Sequence, residues 1–374
     1  MKVLHINCNY LTTALHQTML RHMGRAGVSS TVLATTYDRS RAVIQPDENV
    51  IAAECFNRLD RLCFHYKQSK IIRYIDKTVA VPEFDCIHAH TVFTDGNAAM
   101  RLSEKYGLPY IVAVRDTDVN TFFKYMVHLR PLGRRIILGA SAVVFLSAAY
   151  RSFVLERYFP PEQREELLKK CRVIPNGIDE FWLRHSPDGQ VPEAGFPTRQ
   201  DLRLIYAGRV SRRKNITTTQ RAIRLLTEKG YSVRFTVVGK IDQQGEYRKV
   251  IRDKYTVYEP PKCKEELAEM YRRRHIFVMP SFTETFGLVY AEAISQGLPV
   301  VYTRGQGFDG QFEDGVVGYA ADADSPAQVA EAIERIVGNY ASLRSSCLRK
   351  AGRFNWDDIA AEYLRLYGET IGTR

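Results

Sequence analysis

Several features are missing from this 374-residue chain, and each absence removes a class of protein. Seven cysteines, at 8, 55, 63, 86, 171, 263 and 347, include no Cys-x-x-Cys pair, and an odd count cannot close a complete disulfide framework. Free or buried thiols in a reducing cytoplasm are the expectation. No run of about 18 apolar residues occurs, so no membrane span is expected. The first strand-like segment begins at Lys2, which leaves no room for a signal peptide. Blocks of like charge, low-complexity tracts and recognised nucleic-acid motifs are also absent. No Asp-x-Asp motif is read at a strand end, so a cation site of that kind is not expected.

What is present is an ordinary globular composition, 45% hydrophobic and 25% charged, with a net charge of +11. The positive excess is shared almost equally by the halves on either side of residue 190. Such a balance suits an anionic partner: a nucleotide or an anionic membrane surface, with nucleic acid the weakest candidate. At about 150 residues per domain, the length fits two to three domains.

Apolar strand-like runs alternate with helix-period runs. KVLHIN reads as a strand, and Leu11, Leu15, Met19 and Met23 then fall at helical spacing. STVLAT, DCIHA, PYIVAV and SAVVFL continue the strands. The segment Ser186–Gln200, rich in proline and glycine, reads as a linker. Afterwards LRLIYAG, VRFTVVG, KYTVY and HIFVMP restart the alternation. Strand–helix–strand order argues for parallel sheets covered on both faces. Two α/β domains facing across a cleft are expected: residues 1–187, joined by 355–374, and residues 188–354.

Three segments carry chemistry. In PSFTETFGLVYAEAISQGLPVV, Pro280–Val301, a strand leads through a polar loop into a helix starting near Gly287. The N–H groups of Phe286, Gly287 and Leu288 would face an anion there. Glu284 precedes that terminus and Glu292 follows it. Carboxylates in these places suit sugar or ribose hydroxyls better than phosphate; an ordinary loop charge and an ordinary helix residue are the bland alternatives. In YAGRVSRRKN, a strand ends at Gly208 and places Arg209 and Lys214 in the next loop, where cations suit a diphosphate. Arg212 and Arg213 are rivals, or a solvated basic turn. In VIPNGID, Asn-Gly signals a turn, with a hairpin as the common alternative.

These three segments, in this order, resemble the family-four retaining GT-B glycosyltransferases, and FNWDDIAAEYLRLY resembles that family's last helix. The resemblance spans essentially the whole chain and is strongest after Cys171. It implies two Rossmann-like domains and transfer of a sugar from a UDP- or GDP-sugar to a glycan or lipid-linked acceptor. Arg209 and Lys214 would neutralise the diphosphate, Glu292 would hold the ribose, and Glu284 would touch the transferred sugar. Tyr258, beside Val257, would border the base. No cofactor and no metal are implied. The first domain departs from the pattern: NCNYLTT, with Asn9 and Tyr10, stands where the family has a Gly-Gly loop, and VAVRDTD places Arg115 and Asp116 where many members have a histidine. His90, Arg115, Asp116, Asn9 and Tyr10 are the acceptor-side candidates; a local Arg115–Asp116 ion pair is the plain alternative.

Other signals compete. GQGFDG, Gly305–Gly310, matches a dinucleotide fingerprint, but a turn and a strand follow it rather than a helix, and a loop near the donor is the better reading. His88 and His90 share a strand end without a third metal ligand at convincing spacing. The basic-aromatic segments 56–77 and 121–136 would suit an anionic bilayer at the inner face of a membrane, or else be core residues among solvated charges. A GT-B epimerase or phosphorylase, and a catalytically silent nucleotide-sugar binder, are the rival functions.

Overall fold

In the computed structural model, which describes residues 1–188 and 192–372, the strand-like runs fold into two all-parallel sheets. The first contains β1 (Lys2–Ile6), β2 (Ser29–Thr36), β3 (Val50–Glu54), β4 (Cys86–Ala89), β5 (Tyr110–Ala113), β6 (Ala142–Phe145) and β7 (Cys171–Val173). Their order is β3-β2-β1-β4-β5-β6-β7. The second contains β8 (Leu202–Ala207), β9 (Val233–Val238), β10 (Thr256–Glu259), β11 (Ile276–Val278), β12 (Val300–Thr303) and β13 (Gly318–Ala321), ordered β10-β9-β8-β11-β12-β13. Central strands such as β5, β6 and β12 are buried at every residue, as parallel sheets covered by helices require.

Both sheets reverse their strand order once, between β1 and β4 in the first and between β8 and β11 in the second. In open α/β sheets the crevice at the carboxyl ends of such strands is where ligands bind. The first reversal is unusual in composition. His5 of β1 pairs in register with His88 of β4, and both residues are fully buried.

The chain divides into two compact units. One comprises Met1–Leu146, Arg151–Pro175 and the segment from Trp356 onward; the other comprises Ser147–Tyr150 and Asn176–Asn355. The division thus falls at Pro175/Asn176 rather than at residue 187, and Gly189–Val191 of the expected linker lie outside the described residues. The physical reason is the packing of residues 176–185. Ile178 N–H donates to the Phe354 carbonyl at 3.0 Å, and Trp182 packs its ring 5.7 Å from that of Tyr271, also buried.

The last helix, Trp356–Gly372, joins the first unit and packs on the helix Ala14–Arg25 through Ile359, Tyr363, Leu366 and Tyr367, against Met19 and Met23. The first helix starts three residues later than its apolar spacing suggests, because the Thr13 hydroxyl accepts the Leu15 N–H and caps it there. Leu11 falls in a preceding 3₁₀ turn and packs with Tyr10, Val32 and Ala34. No helix among the described residues is long and apolar enough to cross a membrane.

Candidate functional site

In the second domain the loop after β11 and the loop after β8 meet at the strand reversal. The helix Leu288–Ser295 begins behind Gly287, whose φ of 76° lies in the left-handed region. A Cβ there would sit 2.6 Å from the Tyr290 ring and 3.2 Å from Glu284 Cγ, so glycine is required on two counts. Tyr290 makes the first short-range bond of this helix, to the Gly287 carbonyl. The N–H groups ahead of it, at Phe286, Gly287 and Leu288, precede the helix's own hydrogen-bond ladder.

Glu284 and Lys214 are brought together here. Both are about nine-tenths buried, and the Lys214 Nζ donates to Glu284 Oε2 in a close ion pair. The ammonium also lies 3.7 Å from Met279 Sδ. A buried pair of this kind survives because each charge offsets the other's desolvation, and removing one partner strands the other. Glu284 is therefore no solvated loop charge. Its backbone is clamped by the Gly305–Gly310 loop: Gln306 Oε1 accepts the Glu284 N–H at 2.9 Å, and the Gly307 N–H donates to the Glu284 carbonyl at 2.7 Å. A Cβ at Gly307 would lie 2.0 Å from the Thr285 carbonyl carbon. The GxGxxG segment is thus a support for the Glu284 loop.

Arg209 differs from Lys214. Its side chain is 71% exposed and rests 3.5 Å from Asp242. Gly208, with φ of 149°, lets β8 and β9 end in close contact, since a Cβ on Gly239 would fall 1.9 Å from the Gly208 carbonyl oxygen. Arg212 and Arg213 are not equivalents of Lys214. The Arg213 guanidinium donates to the Thr283 carbonyl at 3.0 Å and its own carbonyl accepts the Phe282 N–H, so it shapes the Glu284 loop. Asn215, which the sequence reading did not single out, adopts φ of 55° and donates from Nδ2 to the Pro280 carbonyl at 2.8 Å. Asn in a left-handed position between two functional loops was the available signal.

Glu292 lies one turn inside the helix. Burial, with the Asp179 carboxylate adding to it, pushes its carboxyl up to about 7. Asp179 caps the helix Glu180–Arg184 by accepting the Phe181 N–H, and pairs with Lys264 at 3.0 Å. VIPNGID therefore leads from β7 into that capped helix and forms no hairpin. The Tyr258 hydroxyl donates to the Gly239 carbonyl at 2.9 Å, which holds its ring near the ends of β9 and β10.

In the first domain the acceptor-side candidates separate. Tyr10 is 2% exposed and packs in a small hydrophobic cluster with Leu11, Val32 and Ala34. Asn9 is exposed in the turn above it. Arg115 and Asp116 form no ion pair: Asp116 Oδ1 accepts from Asn120 Nδ2 at 2.6 Å, while the Arg115 Nε and Nη2 are buried without a hydrogen-bond partner. The Tyr363 hydroxyl does meet the Arg115 guanidinium. Asp116 and Asp118 make an Asp-x-Asp pair directly after β5, which the sequence reading passed over. Asp118 is spent on structure, accepting the N–H groups of Phe93 and Arg115 at 3.2 and 2.9 Å. Asp95 similarly accepts from Cys8 N–H and the Thr91 hydroxyl. Burial raises Asp95 to about 7 and Asp118 to about 6.

His90 sits in a cluster. Its Nε2 lies 3.1 Å from His5 Nδ1, and His88 Nδ1 lies 2.7 Å from the Tyr367 hydroxyl. His5, His88 and His90 each bring one nitrogen within 4.8 Å of the others, so a third histidine does exist, supplied by a distant strand. His16, from the first helix, stands edge-on to His90 with ring centroids 5.2 Å apart. Burial drives all four rings strongly toward the neutral form, and Arg115 adds to the effect on His16, His88 and His90.

The aromatic residues of 121–136 are divided between core and surface. Phe123 is fully buried, and Phe122 stacks on Phe93 at 4.6 Å. Tyr125 and Val127 are exposed, as are Leu59, Leu62 and Tyr66 of the neighbouring segment, which meets Phe122 through Phe64.

Two parallel α/β domains, the second ending in a paired lysine and glutamate beside a helix terminus, define the GT-B class of glycosyltransferases. The comparisons agree. The family model described as Glycosyl transferases group 1 matches residues 193–353, and that described as Glycosyltransferase Family 4 matches residues 17–180. A D-inositol 3-phosphate glycosyltransferase of Pseudarthrobacter chlorophenolicus is 27% identical over 313 residues, covering 77% of this chain and 71% of that protein. Among solved structures, a sucrose-phosphate synthase from Thermosynechococcus elongatus superimposes with a TM-score of 0.75 at 17% identity, covering 100% of both chains. The Anabaena protein HepE, in complex with UDP and glucose, does so with a TM-score of 0.66 at 17% identity and 98% coverage of each. The chain belongs to the family-four GT-B glycosyltransferases.

Proposed function

We propose that this glycosyltransferase takes a sugar from a UDP- or GDP-sugar and passes it, with retention of configuration and without a metal, to a hydroxyl of a glycan or lipid-linked acceptor. The observation that carries this reading is the buried Lys214–Glu284 pair at the strand reversal of the second domain. Without donor, each group satisfies the other. A diphosphate arriving at the helix terminus offers Lys214 a stronger partner and releases Glu284 toward the sugar's hydroxyls. Arg209, exposed and loosely held, is free to swing onto the same diphosphate. Glu292, whose carboxyl burial raises to about 7, suits the ribose hydroxyls, and Tyr258 borders the base.

In the chemical step the bond from the sugar's anomeric carbon to the diphosphate oxygen breaks, and its electron pair leaves with the phosphate. The acceptor oxygen bonds to the same face and gives its proton to the departing phosphate. Charge building on the diphosphate is met by Arg209, Lys214 and the helix N–H groups, which together replace a divalent cation. Glu284 favours positive character on the sugar. The UDP-bound complexes of HepE support a uridine nucleotide, and the relatives named for inositol 3-phosphate support a polyol acceptor. The exposed Leu59, Leu62, Tyr66, Tyr125 and Val127, set among basic residues, support contact with an anionic membrane surface.

A thermal-shift panel of nucleotide sugars tests the reading. A true donor at 100 times its dissociation constant stabilises the chain by about 2.7 kcal/mol. Slow release of free sugar from that donor, undiminished in EDTA, is the expected second result. No stabilisation by any nucleotide sugar, or turnover abolished by EDTA and restored by Mg²⁺, would overturn it.

A further inference from the structure

The cluster at the carboxyl ends of β1, β4 and β5 holds several buried nitrogens without a hydrogen-bond partner, Nε2 of His5 and of His88 among them. Buried Nε and Nη2 of Arg115, Nδ1 of His16 and Nδ1 of His90 all lack a partner. The two rings are 8% and 1% exposed. A buried guanidinium N–H left unmade is expensive, and native interiors rarely keep several in one place. The Arg115 N–H groups invite an acceptor, the imidazole nitrogens do so in the tautomer that protonates them, and the nearby Asp118 carboxylate is already engaged by the N–H groups of Phe93 and Arg115.

Two ligand chemistries compete for such a place. A transition metal would use lone pairs of His5, His88 and His90. Two observations oppose it. The His88 and His90 rings are stacked, with centroids 4.3 Å apart and planes 19° from parallel, whereas a shared metal must lie close to both ring planes. Arg115 also stands near enough to lower the proton affinity of both rings, and it would repel a metal ion as it repels a proton. An anion reverses both objections. It needs donors rather than lone pairs, it is attracted by the guanidinium, and histidines on its edge turn an N–H toward it or gain a proton. Arg115 as a residue is partly exposed while its Nε and Nη2 are buried, so an anion reaches them through a local side-chain movement.

We propose that the first domain holds an oxyanion site in which Arg115, His16 and His90 bind a phosphate or carboxylate group borne by the acceptor. This rests on the reading of the chain as a glycosyltransferase whose first domain takes the acceptor. The planar guanidinium supplies two parallel N–H groups, the geometry that oxyanions fit. Tyr363, from the last helix, steadies the guanidinium, and Asp118 fixes the Arg115 backbone from beneath. A neutral acceptor would leave these donors unsatisfied and so be discriminated against.

The test uses histidine-ring NMR of the full chain titrated with inorganic phosphate, against chloride at matched ionic strength. Phosphate is expected to move the His16 and His90 signals saturably. Arg115→Gln should weaken that response at least tenfold, and Arg115→Lys should keep part of it. Unmoved rings, or an equal response in Arg115→Gln, would overturn the site. So would a visible absorption band on adding Co²⁺ that His88→Gln removes, since that outcome assigns the cluster to a metal. Saturating UDP and GDP separate the sources. If either abolishes the phosphate response, the oxyanion is the donor's diphosphate and the acceptor assignment falls; if neither does, it stands. None of these readouts depends on which nucleotide sugar is used, so the donor reading fails or survives separately.

Discussion

The two domains each reverse their strand order once, and they arrange charge at that place in opposite ways. In the second domain the charges come in a tight pair, Lys214 with Glu284, buried together and ready to exchange partners. In the first, a single cation, Arg115, stands over rings that burial keeps neutral. A site that must bind and release a highly charged donor benefits from a resident counter-ion that the donor displaces. A site with unpaired donors has nothing to displace and gains the full value of an incoming acceptor group.

The sharpest way to break this comparison is Glu284→Gln. If the carboxylate serves the transferred sugar, turnover should fall by roughly 10²–10³ while nucleoside diphosphate affinity holds or rises, because Lys214 loses its competitor. Steady-state kinetics beside calorimetry with the nucleotide alone decides it. A loss of nucleotide affinity would show that Glu284 serves the nucleotide instead.

Gly307→Ala probes the support rather than the charge. With a Cβ 2.0 Å from the Thr285 backbone, the Glu284 loop must move. Displacement of about 1 Å at a reacting centre costs on the order of 10² in rate. Turnover at that level with a nearly unchanged fold by circular dichroism is the expected result; wild-type turnover would mean the loop does not position Glu284.

Arg209→Ala should weaken nucleoside diphosphate binding roughly ten- to hundredfold, since a charge-assisted hydrogen bond is worth about 1.5–3 kcal/mol. Unchanged calorimetric affinity would leave Lys214 and the helix terminus as the whole diphosphate site.

The smallest effect concerns pH. Burial and Asp179 raise the Glu292 carboxyl to about 7, against roughly 4.3 in an unfolded chain. Between those values the folded chain keeps a proton that the unfolded chain has released. Stability therefore falls as pH rises through that window, and the deficit is complete above it. Glu292→Gln should melt higher than the wild type at pH 8, by up to about 3 kcal/mol, and alongside it at pH 4. Equal melting at both values would mean that Glu292 is not desolvated.

Much of the fold was legible because its signals are local. KVLHIN, SAVVFL and LRLIYAG are apolar runs whose neighbours along the chain already fix their structure. The second domain's site was legible for the same reason: Glu284, Gly287 and Glu292 lie within one strand–loop–helix unit, and Arg209 and Lys214 within another. Their spacing is set by the backbone, so a linear reading retains it. The burial of Tyr10 was not legible, because nothing in NCNYLTT reveals that its ring turns into a cluster with Val32 and Ala34. The domain boundary slipped because composition marked Ser186–Gln200, whereas the packing of Ile178 and Trp182 decided the division.

By itself the sequence determined the alternation of strands and helices, the helix terminus behind Gly287, and the loops that bear the residues proposed to face a donor. Only the tertiary structure decided that Lys214 and Glu284, 70 residues apart, neutralise each other. It alone gathered His5, His16, His90 and Arg115 from four separate segments into one cluster of buried nitrogens without partners. The reason is that burial and partnership belong to positions in space. A histidine in β1 carries no mark of the strand beside it, and parallel pairing placed β4 there from more than 80 residues away.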